Sequence, residues 1–276
     1  MTAPAPHSYV SPIPVRRAHL GDALASEWTK IRSLRSTMWT LGVMVLLMLG
    51  IGLAVAAVVA TTEGPDGPAS SESALTLGFF GVLLGSICVI TLGVLTIASE
   101  YGTGMIRTTL TACPTRGRVL TAKAIVFFLL VFTITTVTAT VVAVAQVAMV
   151  ESVAAEPTSA EWLRATVGVG LFLALLGLLS LAIGAIIRHS AGAITIMIGV
   201  LLLPLVAAMF MFSESLAKVQ QFLLDYAIPS QLIALYAGKS TTGQSGPSGW
   251  DPVWIMAVLV AAVMGGAYAL LNSRDV

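Results

Sequence analysis

The run in this 276-residue chain that comes nearest to nucleotide chemistry is Gly238-Lys239-Ser240. A loop that cradles phosphates needs G-x-x-x-x-G-K-[ST] between a strand and a helix, with backbone N–H groups around the phosphates and the Lys and hydroxyl reaching onward. Position 233 is Ile where the leading Gly belongs, so the triplet is a tail without its cradle. Metal and nucleophilic chemistry lack their parts as well. His7, His19 and His189 have no Glu or Cys at ligand spacing, and no Ser/His pair lies within an apolar run. Cys88 and Cys113 read as small packing residues. What remains is a set of hydroxyls, Thr133, Thr135, Thr136, Thr138 and Thr140, followed by Gln146. Thr133, Thr136 and Thr140 share one helical face, and such hydroxyls either bond back to their own helix or line a polar path.

The elements that must carry these residues are long and apolar. Six stretches, roughly Met38–Ala60, Leu75–Ala98, Ala122–Val150, Ala165–Ile187, Ala191–Phe212 and Pro252–Leu271, have interiors free of Asp, Glu, Lys, Arg and His. About 20 such residues span a bilayer's hydrocarbon core. Hydrophobic residues make up 57% and charged residues 10% of the chain, against about 45–50% and about 25% in a soluble domain, so the class is an all-α polytopic membrane protein. The first stretch starts too late and runs too long for a cleavable signal, whose apolar region is about 7–15 residues. Pro14 is the last of several prolines in residues 1–18, which read as a disordered tail.

Charge gives the orientation. Six spans put both termini on one side, which holds Arg16, Arg17, Lys30, Arg32, Arg35, Arg107, Arg116, Arg118, Lys123, Arg188 and Arg274. The other side holds only Arg164, Lys218 and Lys239, so a net charge of +1 conceals a steep asymmetry. Basic residues in short loops stay cytoplasmic, which places both termini inside and Gly238-Lys239-Ser240 outside, away from cytosolic ATP. Carriers driven by protons or ions keep carboxylates or histidines within the membrane as relays, and these spans have none.

Two segments at the basic side stand out. Leu20, Leu24, Trp28, Ile31, Leu34 and Met38 recur at helical spacing, which predicts an amphipathic interfacial helix over 19–37. Glu27 sits close to its apolar face and breaks the pattern; it either pairs with Lys30 at i,i+3 or faces a protein partner. The loop over 99–121 predicts a short amphipathic turn at Met105, Ile106, Thr109 and Leu110 after Gly102 and Gly104, then a turn at Pro114. A short rigid helix there suits docking to a soluble partner, although an ordinary positive-inside loop needs only the arginines. On the outer side, 213–251 is too apolar for a solvated loop and predicts short re-entrant helices, with a Gly/Ser-rich link after them.

The order Glu100-Tyr101-x-Thr103-Gly104-x-x-Arg107-x-x-Leu110-x-x-x-Pro114-x-Arg116-x-Arg118-x-Leu120-x-x-Lys123 resembles the first cytoplasmic loop of ABC type-2 exporter permeases. Ser26-Glu27-Trp28-Thr29-Lys30-Ile31-Arg32 resembles the segment that leads into the first span of bacterial members. The resemblance implies a six-helix permease domain over 38–276 in a bacterial plasma membrane, paired with a second permease copy or a related permease and with a cytosolic ABC ATPase. No cofactor is implied for this chain, since ATP and Mg²⁺ belong to that ATPase, and no nucleic acid is involved. By the same resemblance the loop helix is a coupling helix, and Glu27, Glu100, Tyr101, Gly104, Arg107, Pro114 and Arg116 form or shape the ATPase contact. An uncharged interior, with Thr133, Thr136, Thr140 and Gln146 as its weak polar path, suits a lipid-like or amphipathic substrate. A non-transporting scaffold or sensor of this fold, and an ATP-independent carrier or membrane enzyme, are the alternatives.

Overall fold

The computed structural model describes residues 19–62, 70–112, 115–150, 154–239 and 246–273. The tail, Pro114 and most of the Gly/Ser-rich link lie outside the described residues, as do the side chains of Arg107 and Arg116. Helix α1 (Leu20–Ser33) precedes α2 (Arg35–Thr62). Strand β1 (Ser70–Ser73) and a 3-10 turn lead into α3 (Phe79–Gly102), and the short α4 (Met105–Ala112) precedes α5 (Arg116–Val150). Strand β2 (Ala154–Ala155), α6 (Ser159–Leu163), a π segment (Arg164–Gly168) and α7 (Val169–Ile187) follow, then α8 (Ser190–Met209), α9 (Ala217–Tyr226), α10 (Ile228–Ala237) and α11 (Asp251–Ser273). Six of these helical runs are long and apolar enough to cross a membrane. The exception to all-α is a parallel pairing of β1 with β2, at the end of the bundle opposite α4.

Burial sorts the spans. In the run Ser159–Ile187, 67% of the most apolar window is buried inside the protein, whereas α2, α8 and α11 bury 22%, 22% and 17%. The fourth span is therefore the axis of the bundle, and those three turn most of their surface outward. Small residues allow the close approach, as membrane helices lacking a hydrophobic driving force require. A Cβ on Gly81 would stand 2.7 Å from the Met48 carbonyl of α2, and one on Gly93 would collide with the Gly177 carbonyl of α7. Gly265 and Gly266 of α11 meet nothing within 4 Å among the described residues.

Several boundaries differ from expectation. The interfacial helix ends at Ser33, because Leu34 adopts extended backbone (φ −82°, ψ 111°) and the Ser33 hydroxyl donates to the Lys30 carbonyl. Span one therefore begins at Arg35 rather than Met38. Span four begins at Ser159 rather than Ala165, because Thr158 and Glu161 form a reciprocal capping box at its start. The outer segment folds into α9 and α10. Of α10, Ile228, Leu232, Leu235 and Tyr236 are buried against the bundle, and Gly238 at φ 71° closes the helix.

Candidate functional site

Four charged side chains from three elements converge where α1 crosses the basic end of the bundle. Glu27 and Lys30 stand one turn apart on α1, Glu100 lies in the last turn of α3, and Lys123 lies in the second turn of α5. The Lys123 ammonium donates to Glu27 Oε2 at 2.6 Å and to Glu100 Oε1 at 2.9 Å. Lys30 donates to Glu27 Oε1 at 2.8 Å, to Glu100 Oε1 at 3.0 Å and to the Thr109 hydroxyl of α4 at 3.4 Å. Glu27, Glu100 and Lys123 are 3%, 3% and 1% exposed.

Two carboxylates alternate with two ammoniums, so the group is neutral as a whole. Neutrality is what makes its burial tolerable: desolvating an ion costs several kcal/mol, recovered only where the partner charge and hydrogen bonds are in place. Lys30 shows the balance directly. Burial works against its charge, yet the bonds and charges of Glu27 and Glu100 outweigh burial and raise its pKa above the ordinary lysine value. One acceptor is left over. Glu100 Oε2 is buried without a hydrogen-bond partner. The cluster borders a cavity of about 150 Å³, also lined by Ile31, Leu34, Leu92 and Leu95.

The neighbouring residues fix the α3–α4 corner. Helix α3 ends at Thr103, and Gly104 at φ 71° redirects the chain, a conformation that an L side chain adopts only with strain. Tyr101 is half-buried, with the Arg188 guanidinium 5.0 Å from its ring centroid. Arg188 is itself the left-handed residue (φ 58°) closing α7, so a cation–π contact ties the α3–α4 corner to the α7–α8 turn. Of the residues singled out for the ATPase contact, Glu27 of α1 and Glu100 of α3 thus meet inside the chain, both bonded to its own lysines. Tyr101 and Gly104 flank them; Arg107 and Arg116 occupy α4 and the start of α5, and Pro114 lies outside the described residues.

The hydroxyls of α5 divide between its surface and its interior. Thr133 and Thr140 are exposed on α5, and Thr140 donates to the Thr136 carbonyl. Thr136 Oγ1 is pressed against Gly170 of α7, with no hydrogen-bond partner. The buried hydroxyls are instead Thr135 and Thr138, both bonded back to their own helix. Gln146 is 1% exposed and donates from Nε2 to the Gly52 carbonyl of α2 at 2.9 Å, a link between the first and third spans.

Thr109 and Lys123 were not legible as site residues, and Lys30 only as an i,i+3 partner open to Glu27. On their own positions the two lysines read as positive-inside charge, and only the misfit of Glu27 on an apolar face signalled a buried partner.

Comparison with family models gives a match to the ABC-2 family transporter protein over residues 23–203, a span that includes α1, the charge cluster and the first four membrane runs. No curated protein matches the chain. The cluster-bearing bundle and this match agree: the chain is a multi-pass membrane protein that belongs to the ABC-2 transporter family, as a permease subunit.

Proposed function

We propose that the chain couples ATP hydrolysis on a separate cytosolic ABC ATPase to movement of a lipid-like or amphipathic compound across a bacterial plasma membrane. The observation that carries this reading is the buried cluster. It fastens α1, α3 and α5 to one another and reaches α4 through Thr109, so a push on α4 is delivered to two spans at once rather than absorbed by a loose loop. Closure of the ATPases against α4 would then rock the spans as packed bodies, a hinge or shear motion. Tyr101, Gly104, Arg107, Pro114 and Arg116 shape the docking surface, with Glu27 and Glu100 supporting it from behind. Both termini and α4 are cytoplasmic in this scheme, and a second permease, identical or related, completes the transporter.

The test is reconstitution with a candidate ABC ATPase. The two should co-purify, and inside-out vesicles should move a fluorescent lipid analogue only with ATP and both proteins present. Movement by the purified chain alone would overturn the reading, and Arg107→Ala that left ATPase association intact would remove α4 from the contact. For orientation, a phosphatase reporter fused after Ser71 should be active outside the cell and one after Arg116 inactive.

A further inference from the structure

The cavity beside the cluster has a polar chemistry that the transport reading does not use. Its volume, about 150 Å³, is some ten times the about 10–15 Å³ that a single water needs. One wall is apolar: Ile31, Leu34, Leu92, Leu95 and Met105. Leu34 and Met105 are 48% and 41% exposed, so this wall continues onto the molecule's outer surface. The polar lining offers acceptors and few protons. Thr40, Thr96 and Ser99 have donated their hydroxyl hydrogens to carbonyls of their own helices, and Lys30 has spent its three N–H bonds on Glu27, Glu100 and Thr109. Glu100 Oε2, in a side chain 3% exposed, is left as a buried acceptor with no donor among the described residues. A second polar feature complements it. Ser36 and Thr37 line the same cavity from the first turn of α2, where backbone N–H groups lack intrahelical acceptors and the helix dipole favours an anion.

We propose that this cavity seats the headgroup of an aminophospholipid, with its primary ammonium donating to Glu100 Oε2 and its phosphate at the N-terminus of α2. The apolar wall takes the glycerol and upper acyl carbons. A zwitterion matches the net neutrality of the four-residue cluster, so it enters without leaving an uncompensated charge. A quaternary choline has no N–H to give Glu100, and an anionic glycerol headgroup supplies no cation. The inference rests on the placement of α1 at the membrane surface and not on ATP-driven transport, so it stands or falls separately from that reading.

The test uses the full chain purified in detergent, with retained lipid counted by native mass spectrometry. Phosphatidylethanolamine, its N-monomethyl and N,N-dimethyl derivatives, phosphatidylcholine and phosphatidylglycerol compete in pairs. One charge-assisted hydrogen bond lost should weaken binding about tenfold, and the loss should fall at the last methyl, because the N,N-dimethyl headgroup still keeps one N–H. Glu100→Gln should abolish that preference, and if this variant does not fold, the methyl series on the native chain decides alone. Equal retention of the choline lipid would overturn the proposal, as would stronger retention of the glycerol lipid, which marks a general anionic-lipid surface. Displacement by soluble phosphoethanolamine as effective as by the lipid would overturn the lipid as the occupant.

Discussion

Replacing Lys123 by Met should expose how the cluster is balanced. The ammonium is 1% exposed and serves both carboxylates, so its removal leaves Glu27 Oε2 without a donor beside the already unpartnered Glu100 Oε2. Breaking a buried pair from one side costs about 3–5 kcal/mol, because the remaining charge stays desolvated. Protonation sets a ceiling. A glutamic acid can be neutralised at pH 7 for about 3.7 kcal/mol, its distance from an ordinary pKa of about 4.3 at about 1.36 kcal/mol per unit. The expected loss for Lys123→Met is therefore about 3–4 kcal/mol near pH 7. The double variant Glu27→Gln with Lys123→Met removes one charge of each sign and should recover most of the loss. Unfolding in mixed micelles with increasing sodium dodecyl sulfate, followed by tryptophan fluorescence at about pH 7.5, reads both variants against the native chain. A single variant within about 1 kcal/mol of native, or a double variant no more stable than the single one, would refute the reasoning.

Other outcomes follow from the same geometry. Lys30 has a pKa raised by its two glutamates, so its contribution is complete below the ordinary lysine value of about 10.4 and is lost as pH climbs through the raised value. An alkaline melting series should thus fall more steeply for the native chain than for Lys30→Gln. Gly93→Ala drives a methyl into the Gly177 carbonyl and should cost about 1–3 kcal/mol by thermal melting, while Gly265→Ala, facing open space, should cost nothing measurable. Gly104→Ala strains the corner before α4 by about 1–2 kcal/mol, and ATP-dependent lipid movement should drop while expression and Gly104→Asn remain closer to native.

Much of this architecture could be seen in the residues alone, and what could not was long-range. Apolar runs near 20 residues fix spans because lipid tolerates no unpaired backbone, so all six were legible to within a few residues. Their ends were less so. Leu34 breaks the chain without a Gly or Pro to announce it, and the Thr158 capping box extends span four backward through a polar stretch that hydropathy discards. At the site, Glu27 carried its own warning as a carboxylate near an apolar stripe, and pairing with Lys30 follows from helical spacing. Lys123 gave no such signal, because a lysine at the mouth of a span is what any positive-inside loop displays. For the stripe Thr133, Thr136 and Thr140, shared periodicity names a face and not what lies opposite it, and in this chain two of the three face outward.

The separation along the chain between the cluster's members bears on how the protein is made. Glu27 emerges from the ribosome 96 residues before Lys123 and 73 before Glu100, whose own bond to Lys123 closes a further 23 residues on. Helix α1 cannot sink to its final depth while those partners are unsynthesised, since it would bury Glu27 with Oε2 lacking its donor. It must ride at the headgroup level, with Glu27 and Lys30 hydrated, through insertion of the first two spans. Arrival of the third span is then the event that draws α1 down and locks it. Helix α1 is synthesised before the spans that hold it and docks only on arrival of the third, and a stalled chain ending before residue 123 should leave it open to protease and to water-soluble labels.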